Sequence, residues 1–161
     1  MIESQYTAAL HKKLPKNIYK WKINDNFAGG VPDAFYRALS TPIGLPLWVE
    51  YKFLKKLPER ETTVIKPNLS HQQLIWLKQA VNSGEQALVI VGVESEKRSR
   101  QTAGFIMMQS EWENGIQTQV ARSRLRSMDE LATIITEHCE HGTGMHHEMK
   151  KVSTRIIRYE P

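Results

Sequence analysis

The chain has 161 residues, 40% hydrophobic and 24% charged, enough apolar material for one core of ordinary size and far from the composition of a disordered chain. No apolar run approaches the roughly 18 residues that a membrane-spanning helix needs, and the opening MIESQYTAALHKKLPK has neither the apolar segment nor the cleavage site of a secretory signal. A single cysteine, Cys139, excludes an internal disulfide, so a cytoplasmic setting is expected, and the net charge of +5 suits a polyanionic partner.

Residues 2–14 read as a helix that ends at the Leu14-Pro15 step, because proline disfavours helix in the residue before it. Residues 18–23 alternate Ile18, Lys20 and Lys22 against Tyr19, Trp21 and Ile23, which predicts a half-buried strand with an apolar, aromatic face. Residues 24–30 form a loop closed by Gly29-Gly30, residues 33–39 a second strand, 41–44 a turn region and 47–53 a third strand. The charged stretch 54–69, with Pro58 and Pro67, reads as a mobile excursion. Ser70-His71-Gln72-Gln73 matches a capping box: Ser70 caps a helix and Gln73 reaches back to the cap. That helix runs to about Ser83, where Gly84 stops it. Residues 87–93 (ALVIVGV) are the continuous apolar run expected of a strand buried on both faces.

Beyond that strand, residues 105–109 and 116–120 can pair as a hairpin around Asn114-Gly115. Ser127-Met128-Asp129-Glu130 is a second capping box, opening a helix to about Glu140. Interleaved helices and strands predict an α/β fold with a central mixed sheet flanked by helices. The expectation is one domain, with a core of about 1–95 and a C-terminal extension, 96–161, made of the hairpin and the last helix.

Basic residues gather in three places: Lys12, Lys13, Lys16, Lys20 and Lys22 near the start, Arg122, Arg124 and Arg126, and Lys150, Lys151, Arg155 and Arg158 in the tail. Each cluster is as readily a solvated face. If residues 122–126 form a strand, the three arginines point to one side and can grip phosphates. Trp112 and Trp76 can stack on bases, although Trp76 is the better candidate for the core. His138-Cys139-Glu140-His141 and His146-His147-Glu148 hold zinc-ligand residue types, but one cysteine and unfamiliar spacings favour a polar helix end and loop. His71 reads as a surface histidine of the capping region. The chain has no Gly-rich phosphate loop, no Gly-x-Ser-x-Gly and no dinucleotide fingerprint.

The chemistry concentrates on the third strand. Alternation puts Leu47, Val49, Tyr51 and Phe53 on one face and Trp48, Glu50 and Lys52 on the other. Taken alone, Glu50 beside Lys52 is more simply a surface ion pair. Asp33, at the start of the second strand, changes the balance: a hairpin of the two strands would bring it near Glu50. Two adjacent carboxylates repel unless a cation lies between them. Such oxygen ligands suit Mg²⁺ or Mn²⁺, and a neighbouring lysine can activate water and offset charge on a phosphate.

Gly30-Val31-Pro32-Asp33, followed after 16 residues by Glu50-Tyr51-Lys52, resembles the PD-(D/E)XK motif of restriction-endonuclease-like nucleases. Leu69-Ser70-His71-Gln72-Gln73, then Trp76-Leu77, Gly84 and the strand 87–93, resembles the LSxxQ helix and following strand of the VRR-NUC branch, whose core archaeal Holliday-junction resolvases share. The resemblance covers roughly residues 1–95. It implies a restriction-endonuclease-like core, with Asp33, Glu50 and the Tyr51 backbone carbonyl as Mg²⁺ or Mn²⁺ ligands, Lys52 positioning the attacking water, and Gln73 beside the site. Glu3 matches the acidic residue that many members carry on the first helix; as a helix N-terminal acid it is equally explained by the helix dipole. The connection between Asp33 and Glu50, with Pro42 and Pro46, and the insert between Lys52 and Ser70 are both longer than the family pattern. Lys55, Lys56 and Arg60 make the insert a candidate DNA-contacting flap.

The expected activity is metal-dependent hydrolysis of DNA phosphodiesters on branched or structured DNA such as a four-way junction or flap, in a setting such as a phage or mobile element. Paired incisions would require a homodimer. Candidate DNA contacts are Lys12, Lys13, Lys55, Lys56, Arg122, Arg124 and Arg126. The alternatives are a nicking or restriction-type nuclease, a non-catalytic DNA-binding module, and a protein-interaction module built on the C-terminal hairpin and helix. Metal dependence separates these classes.

Overall fold

A computed structural model describes residues 1–24, 29–39, 45–94 and 102–142. In chain order the elements are α1 (Glu3–His11), β1 (Ile18–Lys22), β2 (Ala34–Ala38), β3 (Leu47–Leu54), β4 (Val64–Ile65), α2 (His71–Asn82), β5 (Gln86–Val93), β6 (Ala103–Met107), α3 (Glu111–Asn114), β7 (Ile116–Gln117), α4 (Thr118–Ser123), β8 (Arg126–Ser127) and α5 (Met128–His141). Six strands form one sheet in the order β1-β2-β3-β5-β6-β8. Within it β3 and β5 are parallel and all other pairs antiparallel. This is the expected mixed sheet flanked by helices. Among the described residues no helix is long and apolar enough to cross a membrane. The turn at 41–44, part of the loop 24–30, His146-His147-Glu148 and the basic tail lie outside the described residues.

The two faces of the sheet carry separate cores. Leu47, Val49 and Tyr51 of β3 and Leu88 and Ile90 of β5 pack with Tyr6 and Leu10 of α1 and Leu131 and Ile135 of α5. On the opposite face Val89, Val91 and Val93 pack with Leu77 of α2, Phe105 and Met107. The run 87–93 is therefore buried on both sides, as its uniform apolarity requires. α2 is the crossover of a parallel β-α-β unit, so it runs back against the strands. Its N-terminus, capped by Ser70, consequently lies at the end of β3 where Glu50 and Lys52 stand.

Five local expectations are corrected. The stretch 54–69 is held in place: Leu57, Ile65 and Pro67 are buried, and β4 pairs with β7. Residues 105–109 and 116–120 do not form a hairpin. β6 pairs instead with β5 and β8, and residues 118–123 are helical. Asn114-Gly115 ends the short helix α3, and Gly115 is required because a Cβ there would lie 2.4 Å from the Ile65 carbonyl oxygen, at φ +75°. Arg122, Arg124 and Arg126 do not alternate along a strand, since α4 occupies 118–123 and β8 begins at Arg126. His138 and Cys139 are buried rather than part of a polar helix end, with His138 Nδ1 2.9 Å from Gln86 Oε1. The fifth difference concerns β1, whose aromatic face is solvent-exposed.

Tyr6 fills a slot over two glycines. A Cβ on Gly92 would meet its ring at 2.7 Å, and one on Gly104 would meet its hydroxyl at 2.3 Å and the Val91 carbonyl oxygen at 2.9 Å. The backbone oxygen cannot retreat without disturbing the β5–β6 ladder. Gly104→Ala is therefore expected to lower stability by about 2 kcal/mol through overpacking, read as a lower urea midpoint at unchanged slope.

Candidate metal centre

β2 and β3 are antiparallel with Ala34 opposite Val49, and the same register sets Asp33 opposite Glu50. The backbone at Asp33 is pinned from the other side, where Ile23 N–H donates to the Asp33 carbonyl at 2.7 Å. Tyr51 N–H donates to Asp33 Oδ2 at 2.8 Å. The N–H and C=O of one residue in a strand point to the same side, so the Tyr51 carbonyl also faces the Asp33 side of β3. Gly30 explains how this turn reaches the helix. It has φ +92°, and a Cβ on it would lie 2.5 Å from the Gln72 carbonyl oxygen, so only glycine lets the chain pass against the first turn of α2.

Glu50 is the centre of the arrangement and only 1% exposed. Its Oε1 accepts from Lys52 Nζ at 2.8 Å and from Gln73 Nε2 at 2.5 Å. Its Oε2 is buried with no hydrogen-bond donor. Burial above all, then the negative charge of Asp33, pushes its carboxyl up to about 7, while Lys52 pulls the other way. Glu3, on the first turn of α1, belongs to the same electrostatic group. Burial raises its pKa most, Lys52 lowers it and Asp33 raises it.

Gln73 joins the helix cap to the carboxylate. Its Oε1 accepts from Ser70 N–H at 3.0 Å, while Ser70 Oγ accepts from Gln73 N–H at 3.1 Å. Lys52 Nζ also approaches Gln73 Oε1, at 3.4 Å. With the amide oxygen so engaged, the amide nitrogen is turned to Glu50.

The donor set fits a hard divalent cation. Asp33, Glu50 and Glu3 bring three carboxylates near one lysine, and an acceptor oxygen of Glu50 is buried without a donor. No three His, Cys, Asp or Glu side chains among the described residues lie close enough to hold an ion by themselves. A cation held by Asp33, Glu50 and the Tyr51 carbonyl would fill its remaining positions with water or phosphate oxygens, the manner of Mg²⁺.

The candidate DNA contacts are scattered. Lys12 and Lys13 follow the C-terminal end of α1, the end away from Glu3, and Lys13 pairs with Asp129 at 3.1 Å. Lys55 and Lys56 are exposed just after β3, with Lys56 3.3 Å from Glu59. Arg122 pairs with Glu61 at 3.0 Å, and Arg124 makes a two-pronged pair with Glu111 at 2.8 and 2.9 Å. Arg126 is part-buried beside the Leu125 carbonyl. Trp112 is buried and donates to the Met107 carbonyl, so it belongs to the core, whereas Trp76 is half-buried against Trp48. His71 is exposed at the start of α2. Sequence reasoning misses Phe35 and Arg37, which alternation along β2 places on Asp33's face.

No protein-family model and no curated protein matches the chain. Among solved structures it is similar to Hjc of Archaeoglobus fulgidus, a Holliday junction resolvase from an archaeal hyperthermophile. The two are 16% identical, and the match covers 74% of this chain and 99% of that one at a TM-score of 0.36. At that score the likeness carries no chemistry across, and the reading of the site rests on its own geometry.

Proposed function

We propose that this protein is a metal-dependent endonuclease that hydrolyses DNA phosphodiesters, with Asp33, Glu50 and Lys52 at its active centre. The observation that carries the reading is Glu50: a carboxylate buried against Asp33 and Lys52, with one oxygen left without a donor. Burying such a group is costly unless its charge is compensated, and a bound cation would compensate it.

Asp33 and Glu50, with the Tyr51 carbonyl, hold Mg²⁺ or Mn²⁺. The ion, when bound, supplies a Lewis acid for the phosphate and for water. Lys52 reaches the same carboxylate and stands where it can orient the attacking water and offset phosphate charge. Gln73 fixes the rotamer of Glu50. Glu3 adds negative charge at the rim and can hold an outlying water. Branched DNA is the preferred substrate on the strength of the motif resemblance, and paired incision there calls for a homodimer. Lys55 and Lys56, exposed just after β3, are candidate phosphate contacts.

The test is cleavage of labelled four-way junction, flap and linear duplex in Mg²⁺, Mn²⁺ or EDTA. Cutting with either metal and none in EDTA is expected. Tight DNA binding without cutting in any metal would leave a binding module in place of an enzyme.

A further inference from the structure

Tyr19 and Trp21 stand 41% and 50% exposed on β1, the edge strand of the main sheet. Register sets Trp21 opposite Phe35 and Tyr19 opposite Arg37. These four side chains therefore share the sheet face that carries Asp33, Glu50 and Lys52. The row continues inward: Phe35 meets Trp48 edge-on at 4.8 Å between ring centroids, and Trp48 meets Trp76 at 4.9 Å. The Arg37 guanidinium lies over the Tyr19 ring at 5.1 Å. The inner three rings are half-buried and touch in series, while the outer two rings and the cation face solvent. Phe35 is one side-chain repeat, about 7 Å, along β2 from Asp33.

Two occupants fit an exposed aromatic edge: a second copy of the chain, or nucleotide bases. Lys20 and Lys22, both exposed on the other face of β1, disfavour the first, because lysines on an edge strand oppose strand-to-strand pairing. The second matches the chemistry. Bases stack on aromatic rings, and an arginine among the rings suits the phosphate backbone, in a chain of net charge +5. Only unpaired bases offer free faces, since duplex bases are already stacked.

We propose that Tyr19, Trp21 and Arg37 form a stacking platform for the unpaired bases of a single-stranded arm, so that the substrate class is DNA branched with such an arm rather than a fully paired junction. As a statement about a substrate, this rests on the nuclease reading of Asp33, Glu50 and Lys52; as a statement about binding, it is tested without cleavage. The full chain is titrated in EDTA against labelled oligo-dT and labelled linear duplex, and fluorescence anisotropy is read. Tyr19→Ala and Trp21→Ala are each expected to weaken oligo-dT binding by about tenfold and to leave duplex binding and the circular dichroism spectrum unchanged. Oligo-dT binding that survives both substitutions overturns the proposal. So does a wild-type dimer that becomes a monomer in Trp21→Ala by sedimentation, which would make this edge a self-interface. The nuclease reading fails separately: a protein that binds oligo-dT through Trp21 yet cuts no DNA in any metal keeps the platform and loses the enzyme.

Discussion

Glu50→Gln is expected to abolish metal-dependent cleavage, by about 10³-fold or more, while making the protein more stable in EDTA. The first effect follows from removing a charged ligand from the proposed metal site, where a bound ion would supply several kcal/mol of transition-state stabilisation. The second follows from burial. Glu50 is 1% exposed, and its carboxyl is pushed up to about 7 from an ordinary 4.5. A raised acid pKa means that the folded state holds the proton more tightly than the unfolded chain. Below pH 4.5 both states are protonated and the shift has no effect; as pH rises towards 7 the folded state loses stability relative to a neutral side chain. Above pH 7 the burden levels off at roughly 3 kcal/mol. Glutamine keeps the volume and an acceptor for Lys52 and Gln73 without the charge. The wild-type and variant stability curves should therefore separate between about pH 4.5 and 7, with the variant the more stable, measured by urea unfolding in EDTA. Mg²⁺ should raise the melting temperature of the wild type and not of the variant. A variant less stable than wild type at pH 8 would make Glu50 a structural partner of Lys52 and sink the metal-site reading.

The parts of the fold legible in the sequence are those set by short-range chemistry. The two capping boxes mark the starts of α2 and α5 because Ser70 with Gln73 and Ser127 with Glu130 satisfy backbone donors three residues apart. The run 87–93 marks a central strand because only burial on both faces tolerates it. The juxtaposition of Asp33 and Glu50 is legible too, as alternation and one antiparallel pairing suffice to bring them together. What fails depends on long-range pairing. Asn114-Gly115 carries the local signal of a hairpin, but its strand partner comes from residues 64–65, fifty positions away in the chain. Nothing in the composition of 54–69 says that Leu57 and Ile65 find a core built by Trp112, Ile116 and Ala121. β1 errs in the opposite direction: its alternation is genuine, but among the described residues no helix covers its aromatic face, so a pattern that usually signals burial here marks a surface. The arginines 122, 124 and 126 show the same limit, since the acids that engage the first two, Glu61 and Glu111, come from other segments.

Gln73→Glu is expected to cut cleavage by about 10- to 100-fold, the usual loss when a partner that orients a metal ligand is disturbed, with no loss of helix stability. Glutamate is as good a capping-box residue as glutamine, so the bond to Ser70 N–H persists and α2 keeps its start. What changes is the other end of the side chain. An amide nitrogen that donates to Glu50 Oε1 at 2.5 Å becomes a carboxylate oxygen, and two carboxylates at that distance must share a proton or part. Either response turns Glu50 away from Asp33 or neutralises it. The deficit should deepen as pH rises, because losing the shared proton leaves two carboxylates that repel, whereas Gln73→Ala should lose activity evenly across pH and lose about 1 kcal/mol of stability with its half of the box. pH–rate profiles of the two variants, with urea midpoints alongside, separate the roles. If Gln73→Glu cuts DNA at the wild-type rate, the glutamine serves the helix cap alone. If it fails as expected, Gln73 serves Glu50 as well as the cap: it accepts a hydrogen bond from Ser70 N–H and donates one to a buried carboxylate, which an amide can do and a carboxylate cannot.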